Sequence, residues 1–143
     1  LRLPLPVAQE ETIYTPHAGE FTRITGTTLA GDPIARAQCA MDAQIPGTLL
    51  LKGPVDVITD GRRVRFNRTG CPAMTVGGTG DVLAGVAGAL LCQIPEFEAA
   101  CIAAYVNGRA GMAVEKDRGE GMVASDLVDR IPSELFRERK SHG

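Results

Sequence analysis

Apolar and polar positions change period several times along this chain, and each change marks an element. Leu1 to Glu11, with Pro4 and Pro6, carries no period and reads as an incoming connection. Thr12-Ile13-Tyr14 is short and β-favouring, and Pro16 stops it, so a strand ending at Thr15 is predicted. His17 to Thr25 reads as a loop passing into a short helix, with Gly26 as its stop. Asp32-Pro33 supplies an N-cap and a first-turn residue. The helix it opens, Pro33 to Gln44, is expected to turn Ile34, Ala37, Cys39, Ala40 and Met41 toward a core.

Pro46-Gly47 ends that helix, and Thr48-Leu49-Leu50-Leu51 is a continuous apolar run, as expected of a strand buried on both faces. Asp56-Val57-Ile58-Thr59, an Asp60-Gly61 turn and Arg63-Val64-Arg65-Phe66 form a hairpin pattern. After a turn-rich stretch from Asn67 to Pro72, a helix following Asp81 runs to about Cys92. Its Ala84, Gly85, Ala87, Gly88 and Ala89 are small enough to let another backbone approach. A further helix from Pro95 to about Glu115 carries Phe97, Cys101, Ala104, Gly108 and Met112 near one face. Lys116 to Gly121 reads as a charged loop, Ser125 as the cap of a last helix through Leu135, and Arg137 to Gly143 as a polar tail. Strands alternating with helices, then helices alone, predict an α/β layered fold with some antiparallel character. Such a domain ordinarily has more strands than these, so the chain reads as the second half of something.

Composition narrows the picture. At 143 residues and 44% hydrophobic, the chain suits one domain with a buried core. A net charge of −2, no basic run, few aromatics and no Trp argue against a nucleic-acid partner. No apolar run approaches the ~18 residues of a membrane span, and no signal-peptide pattern opens the chain. Cys39, Cys71, Cys92 and Cys101 lack Cys-x-x-Cys spacing and read as reduced thiols of a cytoplasmic protein.

Chemistry concentrates in Gly77-Gly78-Thr79-Gly80-Asp81, directly ahead of an apolar helix. Glycines let backbone N–H groups converge, and a helix N-terminus adds its positive dipole end, which together make a phosphate site. The run is neither a Walker P-loop nor the dinucleotide fingerprint; packing alone, with Thr79 as a plain cap, is the competing reading. Asp81 repels a phosphate unless it handles a substrate proton or a metal. His17 and Glu20, in Thr15-Pro16-His17-Ala18-Gly19-Glu20, stand at a strand end where open α/β sheets present ligand groups, or else simply cap the next helix. Lys52-Gly53 closes the buried strand, where the lysine faces either solvent or a nucleotide. Asn67-x-Thr69-Gly70-x-Pro72-x-Met74 leads into the glycine run and is placed to line the same cleft.

Taken together, TPHAGEF, LLKGPVDVITDG, NRTGCPAMTVGGTGDVLAG and NGRAG closely resemble the ADP-dependent NAD(P)H-hydrate dehydratases, a branch of the ribokinase-like superfamily. The resemblance runs from about Val7 to Leu135 and implies a layered ribokinase-like fold with a mainly parallel sheet, represented by roughly its C-terminal half. It implies that His17 and Glu20 contact the hydrated nicotinamide nucleotide and that Lys52, Gly53, Pro54, Val55 and Asp56 line an adenine-nucleotide pocket. It further implies an anion hole at Gly77, Gly78, Thr79 and Gly80, with Gly80 also on the nucleotide and Asp81 facing the hydroxyl of the hydrate as proton acceptor. The co-substrate would be ADP or ATP, with Mg2+ accompanying it and no dedicated metal ligands. Relatives form homo-oligomers, and the same is expected here. Ala18 departs from the proline usual in the family, which affects loop stiffness. Family domains are about twice this size, and the chain opens on Leu1, so an upstream half is expected. A small-molecule kinase of the same superfamily and a non-catalytic nucleotide-binding fragment are the rival readings.

Overall fold

The computed structural model describes residues 11–136. The expected entry segment Leu1 to Glu11 thus falls outside the described residues except for Glu11, and the tail Arg137 to Gly143 falls outside them entirely. The elements are β1 (Ile13–Tyr14), α1 (Ala18–Thr25), α2 (Pro33–Asp42), β2 (Thr48–Leu51), β3 (Asp56–Thr59), β4 (Val64–Asn67), a 3-10 turn (Pro72–Thr75), α3 (Thr79–Leu91), α4 (Glu96–Arg118), a second 3-10 turn (Gly119–Gly121) and α5 (Ala124–Leu135). None of the described helices is long and apolar enough to cross a membrane.

The sheet runs β1-β2-β3-β4. β1 and β2 pair in parallel, as a layered α/β sheet requires, and the β3–β4 hairpin then adds two antiparallel pairings. Alternation along the strands divides the core. Leu49, Leu51 and Val57 pack with Phe21, Ala37 and Ala40 under α1 and α2. Leu50 and Ile58, which face each other across β2 and β3, pack on the opposite face with Leu83, Ala87, Phe97 and Ala100 of α3 and α4. Helices therefore cover both faces, and this is why β2 reads as an unbroken apolar run. Each fully buried leucine there stabilises the fold by about 1.5–3 kcal/mol. A third cluster joins α4 and α5 through Ala110, Val114, Met122 and Leu127. At the hairpin end Arg63 binds Asp60 and Glu98, each at 2.9 Å, and lies 4.2 Å from the Phe97 ring centroid, fixing the turn to the start of α4.

Several details differ from expectation. On α2, Ile34 is 73% exposed whereas Arg36 is 8% exposed, because Ala37 and Ala40 set the buried face and Arg36 shares it. The Asp32 cap holds, its carboxylate accepting from the Ala35 N–H at 2.9 Å. α4 continues past Glu115, since Lys116 and Arg118 suit the negative end of a helix, so the expected loop is mostly helix. Met112 is exposed, and α4 turns Ala103, Asn107, Ala110 and Gly111 inward instead. α5 begins at Ala124, with the Asp126 carboxylate rather than Ser125 accepting from the entering backbone, at Val123 N (2.9 Å). On α3, Ala84, Gly85, Gly88 and Ala89 are exposed.

Candidate functional site

Parallel pairing of β1 and β2 brings their carboxyl ends side by side. The Lys52 N–H donates to Pro16 O at 2.9 Å, and His17 and Lys52 form a parallel bridge just past the strands. Such strand ends are where open α/β sheets gather ligand-binding groups. His17 also opens α1. Its Nδ1 accepts from the Glu20 N–H at 3.2 Å while Glu20 Oε2 accepts from the His17 N–H at 2.8 Å, a reciprocal cap. With Nδ1 held as an acceptor, the neutral ring carries its proton on Nε2. The backbone bond from His17 holds the Glu20 carboxyl below its ordinary value. The hydrogen bonds of this cluster are those of the capping reading, and His17 also stands at the strand ends.

The Lys52-Gly53-Pro54 turn is braced from beneath. Arg36, reaching up from α2, donates from its guanidinium to Lys52 O at 3.0 Å, and a Cβ on Gly53 would stand 2.6 Å from the same nitrogen. Asp56 accepts from the Gly53 N–H at 3.0 Å and from Asn67 Nδ2 at 2.9 Å. Burial raises the Asp56 carboxyl above its ordinary value, and the Asn67 and Gly53 hydrogen bonds oppose that rise. Asp56 shapes the turn with both oxygens engaged.

Asn67 carries this bracing across to α4. Its amide also donates to Ala104 O at 3.1 Å, and Oδ1 accepts from Thr69 Oγ1 at 2.8 Å. The Thr69 hydroxyl lies 3.1 Å from Tyr105 O, and the loop crosses α4 at Gly108, where a Cβ would meet the Thr69 carbonyl carbon at 2.6 Å. One turn on, Gly111 leaves room for Met74, so the loop is laid flat against the helix.

The glycine run follows. Gly78 takes φ +90°, a left-handed conformation that glycine adopts at little cost, and α3 starts at the next residue. Thr79 does not cap the helix: its hydroxyl donates back to Met74 O at 2.7 Å, tying the loop to the first turn. No side chain caps the N-terminus of α3, which leaves its leading N–H groups for a ligand. Lys52 comes to the same place, since a Cβ on Gly80 would lie 3.2 Å from Nζ.

A cleft of about 800 Å³ runs between these parts. Of the residues expected from sequence, His17, Lys52, Gly53, Pro54, Asp56, Thr79 and Gly80 line it, as do Thr69, Gly70, Pro72 and Met74 of the lead-in loop. Val55, Gly77, Gly78, Glu20 and Asp81 do not; Asp81 stands exposed on the first turn of α3, next to Gly80. Cys71 also lines the cleft, and burial followed by the Glu115 charge pushes its thiol up, keeping it protonated. Arg36 escaped sequence reasoning; a lone cation in the Ala-rich stretch of α2 was the available signal. Asn107 escaped as well. It lines the cleft from α4 within the NGRAG stretch, a single amide in a row of small residues.

A cation and a helix N-terminus lining one cleft with a loop and a small-residue helix is an arrangement that can hold an anionic group such as a phosphate. Comparisons with known proteins give the family and the fold. A sequence profile of the family described as NAD(P)H-hydrate dehydratase matches residues 2–133. The bifunctional NAD(P)H-hydrate repair enzyme Nnr of Methanospirillum hungatei is 61% identical over 137 residues, spanning 96% of this chain and 28% of that protein. The structure of the ADP/ATP-dependent NAD(P)H-hydrate dehydratase from Bacillus subtilis, co-crystallised with ATP/Mg2+ and soaked with CoA, superposes with a TM-score of 0.81 at 31% identity, over 95% of this chain and 52% of that one. A ribokinase-like superfamily protein of Enterococcus faecalis superposes with a TM-score of 0.75 at 25% identity, over 90% and 45% respectively. The chain thus spans about half the length of these solved structures and 28% of the longer repair enzyme.

Proposed function

The chain belongs to the NAD(P)H-hydrate dehydratase family, and from that premise we propose that it serves the ADP- or ATP-driven dehydration of hydrated NADH or NADPH back to the reduced cofactor. The single observation that carries this reading is the meeting of Lys52 with Gly80 at the uncapped start of α3, in one cleft with His17.

Hydroxide is a poor leaving group, so the hydroxyl of the hydrate must first become a phosphate ester. Its oxygen attacks the terminal phosphorus of the nucleotide, and the bond from that phosphorus to the bridging oxygen breaks, releasing the shortened nucleotide. Asp81, exposed on the first turn of α3 and next to the cleft-lining Gly80, accepts the hydroxyl proton of a substrate that extends past Gly80, help typically worth about 10²–10⁴-fold. The Lys52 ammonium and the leading N–H groups of α3 stabilise the charge that develops on the phosphoryl oxygens. His17, which lines the cleft, contacts the hydrated nicotinamide nucleotide. The ester C–O bond then breaks, a proton leaves the neighbouring ring carbon, and phosphate departs as the ring double bond returns.

Among the described residues no three His, Cys, Asp or Glu side chains are grouped to hold a metal. A Mg2+ ion would instead arrive on the nucleotide phosphates, with water completing its shell. When bound, the ion neutralises phosphoryl charge.

The test is to incubate the full chain with hydrated NADH and ADP or ATP, following absorbance of the reduced nicotinamide together with phosphate release. Both should rise one for one. A stable phosphorylated product without recovery of absorbance would instead identify a kinase of the same fold.

A further inference from the structure

We propose that Arg36 is a positioning residue for the reaction: it holds the Lys52–Gly53 peptide unit by its carbonyl while Asp56 holds it by its N–H, and this clamp aims the Lys52 ammonium at Gly80. The proposal rests on the nucleotide reading of the cleft given above. Arg36 does not itself line the cleft; it is 8% exposed on α2 and donates from Nη2 to Lys52 O at 3.0 Å. Asp56 accepts from the Gly53 N–H at 3.0 Å. A peptide unit is planar, so gripping its carbonyl and its N–H at once opposes rotation of the whole unit. On the upstream side the Lys52 N–H donates to Pro16 O at 2.9 Å. Both backbone polar groups of Lys52 are therefore tied, which sets the direction in which its side chain leaves the chain.

Stability alone does not account for a guanidinium at this place. Arg36 Nε is buried with no hydrogen-bond partner among the described residues, so the side chain gives up water for little more than its bond to Lys52 O. Leaving a buried donor unpaired is costly, and an apolar side chain of similar length is often as stable or more so. Gly53 is matched to the same contact. Its φ lies outside the left-handed region, so the backbone there does not call for glycine. A Cβ would instead stand 2.6 Å from Arg36 Nη2 and 3.2 Å from Cζ, so the missing side chain is what admits the guanidinium. A lysine stem turns freely about each of its bonds, and a fixed root narrows the positions that the ammonium can reach. Nζ stands where a Cβ on Gly80 would be 3.2 Å away, at the uncapped start of α3.

A double-mutant cycle, read by calorimetric titration of the full chain with ADP, tests the assignment. Arg36→Met should weaken binding roughly 5- to 50-fold, within the span of couplings between side chains that share one network. In a Lys52→Met background the same substitution should change affinity by less than about twofold, because the group it aims is gone. Ligand-free Arg36→Met should melt no lower than the native protein. Arg36→Gln, whose amide is too short to take the place of Nη2, should repeat both results and covers the case in which methionine packs badly. Native affinity in both Arg36 variants, with affinity lost in Lys52→Met, overturns the assignment. An equal loss in both backgrounds also overturns it, since the guanidinium would then act without Lys52. So does a melting temperature that falls with affinity in both variants, which would make Arg36 a support of the fold alone. If the native protein binds no ADP, or Lys52→Met leaves binding unchanged, the nucleotide reading itself falls and the role of Arg36 with it.

Discussion

Lys52 Nζ and Gly80 stand so close that a Cβ on the glycine would lie 3.2 Å from the ammonium nitrogen. The end of β2 and the first turn of α3 thus meet through one cation and one missing side chain. Lys52→Met should weaken ADP or ATP binding roughly 10- to 150-fold, the worth of a charge-assisted hydrogen bond. Equilibrium titration checks this, and the unfolding midpoint should hardly move because the lysine is partly exposed.

Asp81→Asn should lower turnover of the hydrated cofactor by about 10²–10⁴-fold while leaving the nucleotide dissociation constant within about twofold. The side chain is exposed beside Gly80, so the amide costs the fold little. Steady-state kinetics paired with calorimetry separate the two effects. Undiminished turnover would remove Asp81 from the reaction.

Gly78→Ala should destabilise the protein by about 1–3 kcal/mol, since φ +90° suits an L-residue poorly. A Cβ would also stand 3.0 Å from the Ala124 Cβ, so relief at α3 is bought at α5. Urea unfolding measures the loss, and a variant as stable as the native chain would contradict the geometry.

Gly108→Ala should cost about 1–3 kcal/mol or more by overpacking. Here the obstacle is backbone, the Thr69 carbonyl carbon and oxygen at 2.6 and 2.7 Å, so the loop must lift from α4. Nucleotide affinity should fall together with stability, in contrast to Lys52→Met, where only affinity falls.

Acid should weaken the hairpin end. Burial raises the Asp60 carboxyl, but the Arg63 and Arg62 N–H groups and the Arg63 guanidinium outweigh burial and hold it below its ordinary 3.8. A carboxyl lowered in the folded state stabilises above the unfolded value and loses that contribution as pH falls through the folded one. Asp60→Asn keeps an acceptor in the turn but loses the ion pair. Its melting temperature should lie below that of the native protein at pH 6, by the equivalent of about 0.2–1 kcal/mol. That gap should close as the pH falls below 3.8.

What the chain disclosed beforehand follows the range of the interaction concerned. The apolar run of β2, the Asp60-Gly61 turn and the Asp32 cap are decided by neighbours within four residues, and all three stand as read. Helix phase was harder. In α2 and α4 alanines and glycines outnumber large apolar side chains, so the period is visible but not which side faces inward; Ile34 and Met112 were placed on the wrong side for that reason. His17, Lys52 and the start of α3 stand at element ends, which is where a sequence pattern marks them, and seven of the twelve named site positions line the cleft together with four of the lead-in loop. Asp56 was taken for a pocket residue, and it does line the cleft, but its bracing role depends on Asn67, its register partner across the hairpin. Arg36 and Asn107 each stand out locally, as a lone cation and a lone amide among small residues, but what each of them meets lies in elements distant in sequence.

The row Ala104, Gly108 and Gly111 on α4 has a consequence for the breadth of ligands admitted. Loop 67–75 is pressed onto that row and hydrogen-bonded to the Ala104 and Tyr105 carbonyls, so its height above the helix is gauged by side chains that are not there. Enlarging Gly108 or Gly111 should therefore lift the loop from the helix and change the ligands the cleft admits.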